Sequence, residues 1–473
     1  MLSESDVRKH ASRESCWVII RGTVYDLTSF VDAHPGGSAV ILKYAGKDAT
    51  AAFEPVHPGN TLEVHLEPKH NLGPVAPSAL KQSPERQVSE ARNEGATKAV
   101  ASQRPKRFKL SAVINLGDFE RAASYNLDPK AFAFYRAGAD DEKTLDWNRR
   151  SWQAVRFRPR VLRPIGKIDL STSIMGIKFS SPFFISPAGA GKLAHPEGEV
   201  LMTKAAAKHQ VLHWICNMAS CTQLEMADAR APDQTTFWQI YAMTNLAITE
   251  EEIKQAVQRG YKGFALTVDA IRAGKRERDL RFGVEEFESP EDPETTADGN
   301  LHGGGISASR APVWSAFDWP TAIGWIRSFT DLPIAIKGIQ CWEDAALCMQ
   351  YGVHPWLSNH GGRQLEGAPS AVETLIEIRQ HCPSVFQKCE VIVDGGIMRG
   401  TDVVKALALG AKAVGLGRTF LYALSFGEAG VSRAINILQH EVETAMALLG
   451  VEKVEDLGPE YVDISAFELR ARL

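Results

Sequence analysis

The sequence predicts an α/β chain in which a (β/α)8 TIM barrel follows a small α+β domain. Eight short apolar runs rich in β-branched residues recur through the second part of the chain, and longer helical patterns separate them. Such alternation is typical of a parallel sheet. Eight units over roughly 250 residues fit the closed barrel, with a doubly wound open sheet as the alternative. The runs are 183–188, 211–217, 237–241, 263–269, 333–339, 355–359, 389–395 and 413–417.

Changes in composition divide the chain into three regions. Residues 1–73 are compact and mixed, with two β-rich segments joined by an Arg21-Gly22 turn signal. Residues 74–107 are rich in Pro, Ser, Ala, Gln and charged residues. Because such a composition cannot bury a core, we expect a linker there. Residues 108–473 form the barrel domain.

The length and composition are typical of an ordinary globular protein. The chain has 473 residues, 44% hydrophobic and 23% charged, and its net charge of −4 gives no reason to expect a nucleic-acid partner. Seven scattered cysteines without a C-x-x-C pair indicate a reducing compartment. No stretch is apolar enough to span a bilayer, so we expect no membrane partner. Without a visible leader we expect a cytoplasmic protein, or one of the mitochondrial intermembrane space if a leader has been removed.

One segment of the barrel domain interrupts the rhythm of strands and helices. Residues 285–310 are acidic and then glycine-rich, without apolar periodicity. A connection of this length is usually a functional lid or a disordered loop. We therefore expect it to be mobile.

Two histidines in the first region could bind a haem. His34 opens a His-Pro-Gly-Gly sequence, and His57 follows 23 positions later between two prolines. Either could simply belong to a turn. Together, in so small a domain, they could fill both axial positions of a haem iron, which suits electron transfer because no coordination site stays open.

Residues 1–73 resemble cytochrome b5. The resemblance lies in W-V-I-I-R-G-T-V-Y-D-L-T-S-F, in HPGG and in A-G-K-D-A-T-A-A-F. It implies haem b with His34 and His57 as axial ligands. His10, His65 and His70 match no ligand position, and we expect them on the surface.

Polar residues stand at the C-terminal ends of most predicted strands, where the active sites of such barrels lie. Glycine turns follow the last two strands, a frequent phosphate site because bare backbone N–H groups can approach the oxygens. Either turn alone could be ordinary. The strand ends carry Ala188, Cys216, Asn217, Gln239, Tyr241, Thr267, Asp269, Lys337, 358–363, 394–396 and 415–418.

Five of these strand-end side chains form a reactive set. His360 could act as a base near neutral pH, and Asp269 beside it could orient the ring. Arg363 could grip a carboxylate through two bonds. Lys337 near a flavin would favour its anionic reduced form. Tyr241 could donate a hydrogen bond.

The barrel domain resembles the FMN-dependent L-2-hydroxy acid oxidases and dehydrogenases from about residue 119 to 450. The motifs are S-N-H-G-G-R-Q-L, F-A-L-T-V-D-A, P-I-A-I-K-G-I, V-D-G-G-I and G-L-G-R. With the haem domain ahead of it, the chain resembles the flavocytochromes of that family. The resemblance implies oxidation of a small L-2-hydroxy acid, L-lactate favoured, with electrons passing through FMN and haem b to an acceptor, perhaps cytochrome c. It also implies a homo-oligomer, a tetramer.

The resemblance assigns roles at the substrate. His360 takes a proton from the substrate, either from the α-carbon or from the hydroxyl, and Asp269 pairs with His360. Arg363 and Arg276 bind the substrate carboxylate, and Tyr241 hydrogen-bonds the substrate.

It also assigns the flavin site. Lys337 lies by the N1 edge of the flavin. The ring is expected against Ala188, Cys216, Gln239 and Thr267. The ribityl and phosphate end is expected at Asp394, Gly395, Gly396, Gly417 and Arg418.

The sequence departs from the family at two positions. Phe134 replaces a tyrosine that normally contacts the substrate carboxylate, and one lost bond to a charged group is worth roughly 1.5–3 kcal/mol. Met398 replaces an arginine at the FMN phosphate, and Arg399, one position on, should point elsewhere. From the first we expect a raised KM, altered substrate choice or looser coupling between the domains, and from the second we expect weaker FMN retention.

Two other functions stay open. One is an oxidase that passes electrons to oxygen or acts on a different substrate, which the haem domain disfavours. The other is a haem electron carrier whose barrel is not catalytic. The intact set of His360, Asp269, Arg363 and Lys337 disfavours it.

Overall fold

The computed structural model describes residues 2–32, 34, 38–57, 59–76, 107–282, 306 and 313–468. Two compact units divide the chain: Met1–Glu54 with Asn60–Phe108, and Pro55–Gly59 with Lys109–Leu473. Most of the predicted linker and of the predicted mobile segment 285–310 lies outside the described residues. The domain boundaries at 73 and 107 stay predictions.

The N-terminal unit contains a three-stranded antiparallel sheet in the order β1-β2-β3. Arg21 and Gly22 connect β1 to β2 with φ of 51° and 72°, the left-handed pair that matches the twist of a tight hairpin. The predicted hairpin is therefore present. The strands are β1 (Trp17–Ile20), β2 (Thr23–Asp26) and β3 (Asn71–Pro74). The helices are α1 (Glu4–Val7), α2 (Ser38–Lys43), α3 (Thr50–Phe53) and α4 (Thr61–His65).

One histidine of this unit contradicts the sequence prediction. His70 is buried, and its Nδ1 donates to the backbone carbonyl of Asp26 at 2.8 Å. The prediction of a surface position is wrong because His70, directly before β3, hydrogen-bonds the last residue of β2. His10 is half-buried, with its ring stacked on Trp17 at 3.6 Å, whereas His65 is exposed.

Eight parallel strands close into a barrel in the order β7 to β14. The last strand pairs with the first through Val414 and Phe183, which confirms the barrel and excludes the open sheet. Each strand overlaps one predicted run. They are β7 (Phe183–Ile185), β8 (His213–Cys216), β9 (Thr236–Ile240), β10 (Phe264–Thr267), β11 (Ile334–Ile339), β12 (His354–Leu357), β13 (Ile392–Asp394) and β14 (Ala413–Leu416).

Aromatic side chains fill the barrel interior. The rings of Trp214 and Trp356 lie 4.6 Å apart, and Phe184 packs edge-on against Trp356 at 5.2 Å. Small residues such as Ala265 and Ala335 on neighbouring strands leave room for these rings. A hairpin of β5 (Thr172–Ile174) and β6 (Ile177–Phe179) adds apolar side chains to the same cluster. The apolar interior leaves the polar groups to the strand ends.

Helices alternate with the barrel strands and extend the domain at both ends of its sequence. None of the helices that the structure describes is long and apolar enough to cross a membrane. Two short strands, β4 (Arg156–Phe157) and β15 (Val462–Asp463), pair antiparallel. The helices are α5 (Leu116–Asn126), α6 (Pro129–Arg136), α7 (Lys143–Ala154), α8 (Glu199–His209), α9 (Gln223–Asp228), α10 (Leu246–Gln258), α11 (Glu277–Leu280), α12 (Trp319–Arg327), α13 (Trp342–Gln350), α14 (Ala371–His381), α15 (Val385–Lys388), α16 (Gly400–Ala408), α17 (Arg418–Ala423), α18 (Gly427–Leu449) and α19 (Ser465–Glu468).

Candidate active site

His360, in the loop after β12, stands between two other strand-end side chains. Its Nδ1 lies 2.9 Å from Oδ1 of Asp269, and its Nε2 lies 3.3 Å from the hydroxyl of Tyr241. Asp269 is almost fully buried, whereas the His360 side chain is 17% exposed. A carboxylate so placed orients the ring and stabilises its protonated form. The structure thus brings together three of the five side chains in the predicted reactive set, His360, Asp269 and Tyr241.

Lys337 lies on the inner side of β11 in a chain of polar contacts. Its Nζ donates to Oγ of Ser358 at 2.7 Å and lies 3.3 Å from Asp394, to which the Ser358 hydroxyl donates at 2.6 Å. Burial alone lowers the pKa of Lys337, but the charges of Asp394 and Asp269 outweigh it. The pKa therefore lies above its ordinary value, and the buried amine stays protonated.

Ser358 was missed as a functional residue by the sequence analysis. Its hydroxyl also accepts the backbone N–H of His360 at 3.0 Å, so one oxygen connects the histidine loop to Lys337 and Asp394. Its place at a strand end was visible in the sequence. Its partners, Lys337 and Asp394, come from two other strands, so its role could not be predicted from the sequence.

Arg363 and Arg276 form a cationic group beside this cluster. Nη1 of Arg363 donates to the carbonyls of Phe134, Tyr135 and Ala137 at 2.8–3.0 Å, which fixes it at the C-terminus of α6. Burial and the charges of Arg276 and Arg418 lower the pKa of Arg363 well below its ordinary value. A site that disfavours its own positive charge favours a bound anion, as a substrate carboxylate would be.

Phe134 contacts Arg363 through its ring. The guanidinium carbon lies 5.3 Å from the ring centroid, a cation–π arrangement. Arg276 is buried and donates from Nη2 to the side-chain oxygen of Gln364 at 3.2 Å. Phe134 therefore adjoins the predicted carboxylate site without a hydroxyl to donate.

Gln239 and Thr267 fit the predicted ring site of the flavin. Nε2 of Gln239 donates to the Thr267 hydroxyl at 2.8 Å. Oε1 of Gln239 is buried and has no hydrogen-bond partner among the described residues. Such a group indicates a missing donor, and a flavin N–H is one. Cys216 is buried, with its sulfur accepting the N–H of Met218, and Ala188 is half-buried at the end of the neighbouring strand.

The glycine turns after β13 and β14 fit a phosphate. Gly395 and Gly396 have φ of 98° and 78°, where a side chain would be strained. Arg418, directly after Gly417, donates from Nη2 to the carbonyl of Gly361 at 2.7 Å. Its Nη1 is buried without a hydrogen-bond partner in the described part of the chain. A phosphate oxygen would satisfy that donor.

Arg399 does not replace the missing arginine at this turn. Its guanidinium pairs with Glu441 on α18 at 3.1 Å, with the side chain 53% exposed. The half-buried Met398 donates only its backbone N–H, to Asp402 at 3.0 Å. The direction expected for Arg399 agrees with this geometry.

The predicted haem ligands are both half-buried. The ring of His34 packs edge-on against Phe30 at 5.8 Å. An apolar cluster that includes Val31, Ile41 and Leu62 forms the core of the N-terminal unit. Ligation of iron by His34 and His57 stays a prediction.

The FMN-dependent dehydrogenase family model matches residues 123–464. The chain belongs to this family. A cytochrome b5-like haem/steroid binding domain matches residues 3–76 of the same dehydrogenase. The two matches confirm the predicted family, and they indicate FMN in the barrel and haem in the N-terminal domain.

Relatives with both domains cover the dehydrogenase almost end to end. An L-lactate dehydrogenase (cytochrome) of Wickerhamomyces anomalus is 41% identical over 99% of this chain and 81% of its own length. The enzyme of that name from Saccharomyces cerevisiae is 37% identical over 99% of this chain and 80% of its own. The recombinant flavin-binding domain of baker's yeast flavocytochrome b2 superposes with a TM-score of 0.69 at 36% identity, over 77% of this chain and 89% of that one.

Proposed function

We propose that the chain oxidises a small L-2-hydroxy acid, with L-lactate favoured, to the corresponding 2-oxo acid. Electrons pass through FMN and haem b to an external acceptor such as cytochrome c. The observation that carries this proposal is the 2.9 Å contact between His360 and Asp269 at the mouth of the barrel. The likeness of almost the entire chain to enzymes called L-lactate dehydrogenase (cytochrome) supports the substrate and the acceptor.

The arginine pair positions the substrate. Arg363 and Arg276 bind its carboxylate, and Arg363 is held in place by the carbonyls at the end of α6. Planar guanidinium groups suit this task because they bind both carboxylate oxygens. Binding there sets the 2-hydroxyl and the α-carbon opposite His360 and Tyr241.

His360 accepts a proton from the substrate, either from the α-carbon or from the hydroxyl. Asp269 stabilises the imidazolium that results, since its carboxylate faces Nδ1 while Nε2 faces the reacting groups. When bound, FMN would supply the acceptor for the electron pair and the second hydrogen that leave the substrate as its hydroxyl becomes a carbonyl. Lys337 keeps a positive charge within the barrel, and that charge would stabilise negative charge on a reduced flavin.

The assembly and the acceptor are proposals too. We place the chain in a homo-oligomer, a tetramer, by its resemblance to the flavocytochromes. His34 and His57 would hold the haem, which would then supply electron transfer to a second redox protein and not oxygen chemistry.

An anaerobic absorbance titration tests the function. The holoprotein is scanned before and after addition of L-lactate. Flavin bleaching together with the sharpened bands of reduced haem is the expected result. If FMN-loaded protein shows no change with lactate, glycolate or mandelate, the proposed activity is wrong. Bleaching without haem reduction would contradict the proposed route of the electrons.

A further inference from the structure

Two buried asparagines join α7 to the histidine loop. Nδ2 of Asn148 donates to Oδ1 of Asn359 at 2.8 Å, and Nδ2 of Asn359 donates to Oδ1 of Asn148 at 2.7 Å. Asn148 is 1% exposed and Asn359 is 3% exposed. The two residues are 211 positions apart in the sequence. Asn359 directly precedes His360.

The backbone fixes the orientation of the Asn359 amide. Its Oδ1 also accepts the N–H of Gly362 at 3.0 Å, and its Nδ2 also donates to the carbonyl of Pro369 at 2.9 Å. If the Asn359 amide were rotated by half a turn, its NH2 group would face the N–H of Gly362 and its oxygen would face the carbonyl of Pro369. The pair therefore has a single arrangement.

The loop that the pair holds has a conformation that few side chains adopt. His360, Gly361 and Gly362 are consecutive left-handed residues, with φ of 59°, 67° and 74°. For the histidine this costs roughly 1–2 kcal/mol, and such a residue persists only where its surroundings over-determine it. Asn359 precedes these three residues and its side chain bonds the N–H of Gly362, the last of them. The same side chain is bonded to Asn148 on α7, so the helix holds both ends of the loop.

The same face of α7 also contacts the glycine turn after β13. The indole Nε1 of Trp152 donates to the carbonyl of Gly395 at 2.9 Å. A Cβ built on Gly396 would lie far inside van der Waals contact of the Asn148 carbonyl oxygen. One face of α7 thus supports the histidine loop and the predicted phosphate turn together.

We propose that Asn148 and Asn359 are a positioning pair that holds His360 against Asp269 and Tyr241. The pair acts through the backbone of the histidine loop, since Asn359 directly precedes His360 and accepts the N–H of Gly362. The role rests on the proposed function, in which His360 is the base. Loss of the pair lets the loop leave its left-handed conformation, so the imidazole no longer meets Asp269.

The test uses Asn148→Ala, Asn359→Ala and the double variant of the holoenzyme. Stopped-flow flavin reduction at saturating L-lactate is expected to slow about tenfold in each single variant, with KM changed less than about threefold. The double variant should be no slower than the worse single variant, because the pair acts as a unit. Thr203→Val is the matched control, since it removes a buried 3.0 Å hydrogen bond between α8 and His213 on β8. It should lower Tm and leave the rate unchanged.

A second measurement does not depend on turnover. The rate at which diethyl pyrocarbonate modifies His360 is followed by peptide mass spectrometry. We expect it to rise at least about fivefold in the asparagine variants and not in Thr203→Val, because the ring loses its fixed partner. If the alanine variants fail to fold, Asn148→Leu, which keeps the volume on α7, carries the same expectations.

Two outcomes separate the inference from the function beneath it. A wild-type protein that lactate does not reduce contradicts the proposed function, while the reactivity of His360 still decides the role of the pair. Asparagine variants that lose Tm like the control, yet keep both the rate and the reactivity of His360, overturn the pair as a positioning device.

Discussion

The ring of Phe134 lies against Arg363 where the family carries a tyrosine. We predict that Phe134→Tyr lowers KM for L-lactate roughly tenfold, because a hydroxyl there can donate to the substrate carboxylate, a charged acceptor. The maximal rate of flavin reduction should stay within about twofold, since His360 and Asp269 are untouched. Steady-state kinetics with an artificial acceptor measures both values.

Phe132→Tyr is the control for this change. Phe132 lies on the same helix, but its ring faces Tyr422 at 6.0 Å. It should leave KM as in the wild type. An equal KM in Phe134→Tyr and in the wild type would contradict the placement of residue 134 beside the substrate carboxylate.

Met398 stands at the predicted phosphate turn where the resemblance to the family implies an arginine, so the turn has one cation fewer than that pattern. We predict that Met398→Arg binds FMN about tenfold more tightly, because a charge-assisted bond to phosphate is added. Titration of the apoprotein with FMN, followed by quenching of flavin fluorescence, gives the Kd. Arg399→Gln should leave it unchanged, since Arg399 is paired with Glu441. A wild-type protein that keeps its FMN through extensive dialysis would contradict the weak retention.

At the scale of elements, two glycines with nearly equal φ differ in their surroundings. Gly396 has φ of 78° and contacts the backbone of Asn148, whereas Gly260, with φ of 79°, has open space around its Cβ position. We predict that Gly260→Ala lowers the free energy of unfolding by about 1 kcal/mol. Gly396→Ala should cost about 1–3 kcal/mol more, since α7 must also shift. Chemical denaturation measures both, and equal losses would contradict the close approach of α7.

Helix α10 carries an acid whose protonation couples stability to pH. Burial raises the pKa of Glu252 to about 8, although a hydrogen bond from Asn217 opposes the shift. Between its ordinary value of 4.5 and about 8 the folded state keeps a proton that the unfolded state releases. Stability from this group is therefore full below that window and is lost as the pH rises through it.

The matched variant is Glu252→Gln, which stays neutral at every pH. We expect its Tm to fall less than that of the wild type as the pH rises across this window. Parallel curves of Tm against pH for the two proteins would show that Glu252 is already charged in the folded state.

At the scale of the whole molecule, local patterns predicted the barrel strands well. Each apolar run, such as 237–241 or 413–417, overlaps a strand, because strands buried on both faces need continuous apolar residues. The bounds differ by a few residues, since the ends of these runs extend into the loops of the mouth. The Arg21-Gly22 hairpin was predictable for a similar local reason, the left-handed turn.

Residue types at strand ends placed His360, Asp269, Tyr241 and Lys337 in one site, because parallel strands present their C-terminal ends together. The bonds that hold them there were not visible. Ser358 joins Lys337 to Asp394 across three strands, and the two asparagines meet over 211 positions. His70 was predicted on the surface, since nothing near it in the sequence reveals the Asp26 carbonyl that it meets.

The sequence by itself therefore determined the two kinds of domain, the positions of the barrel strands along the chain and the reactive side chains. Hydrophobic periodicity and glycine turns are properties of short segments, so they can be recognised in the sequence alone. Only the tertiary structure showed the contacts that no motif implies, such as the one between Asn148 and Asn359. A buried hydrogen bond forms only where distant elements come together, as α7 does with Asn359 and with the turn at Gly396. The type of a single residue does not reveal which distant element will pack against it.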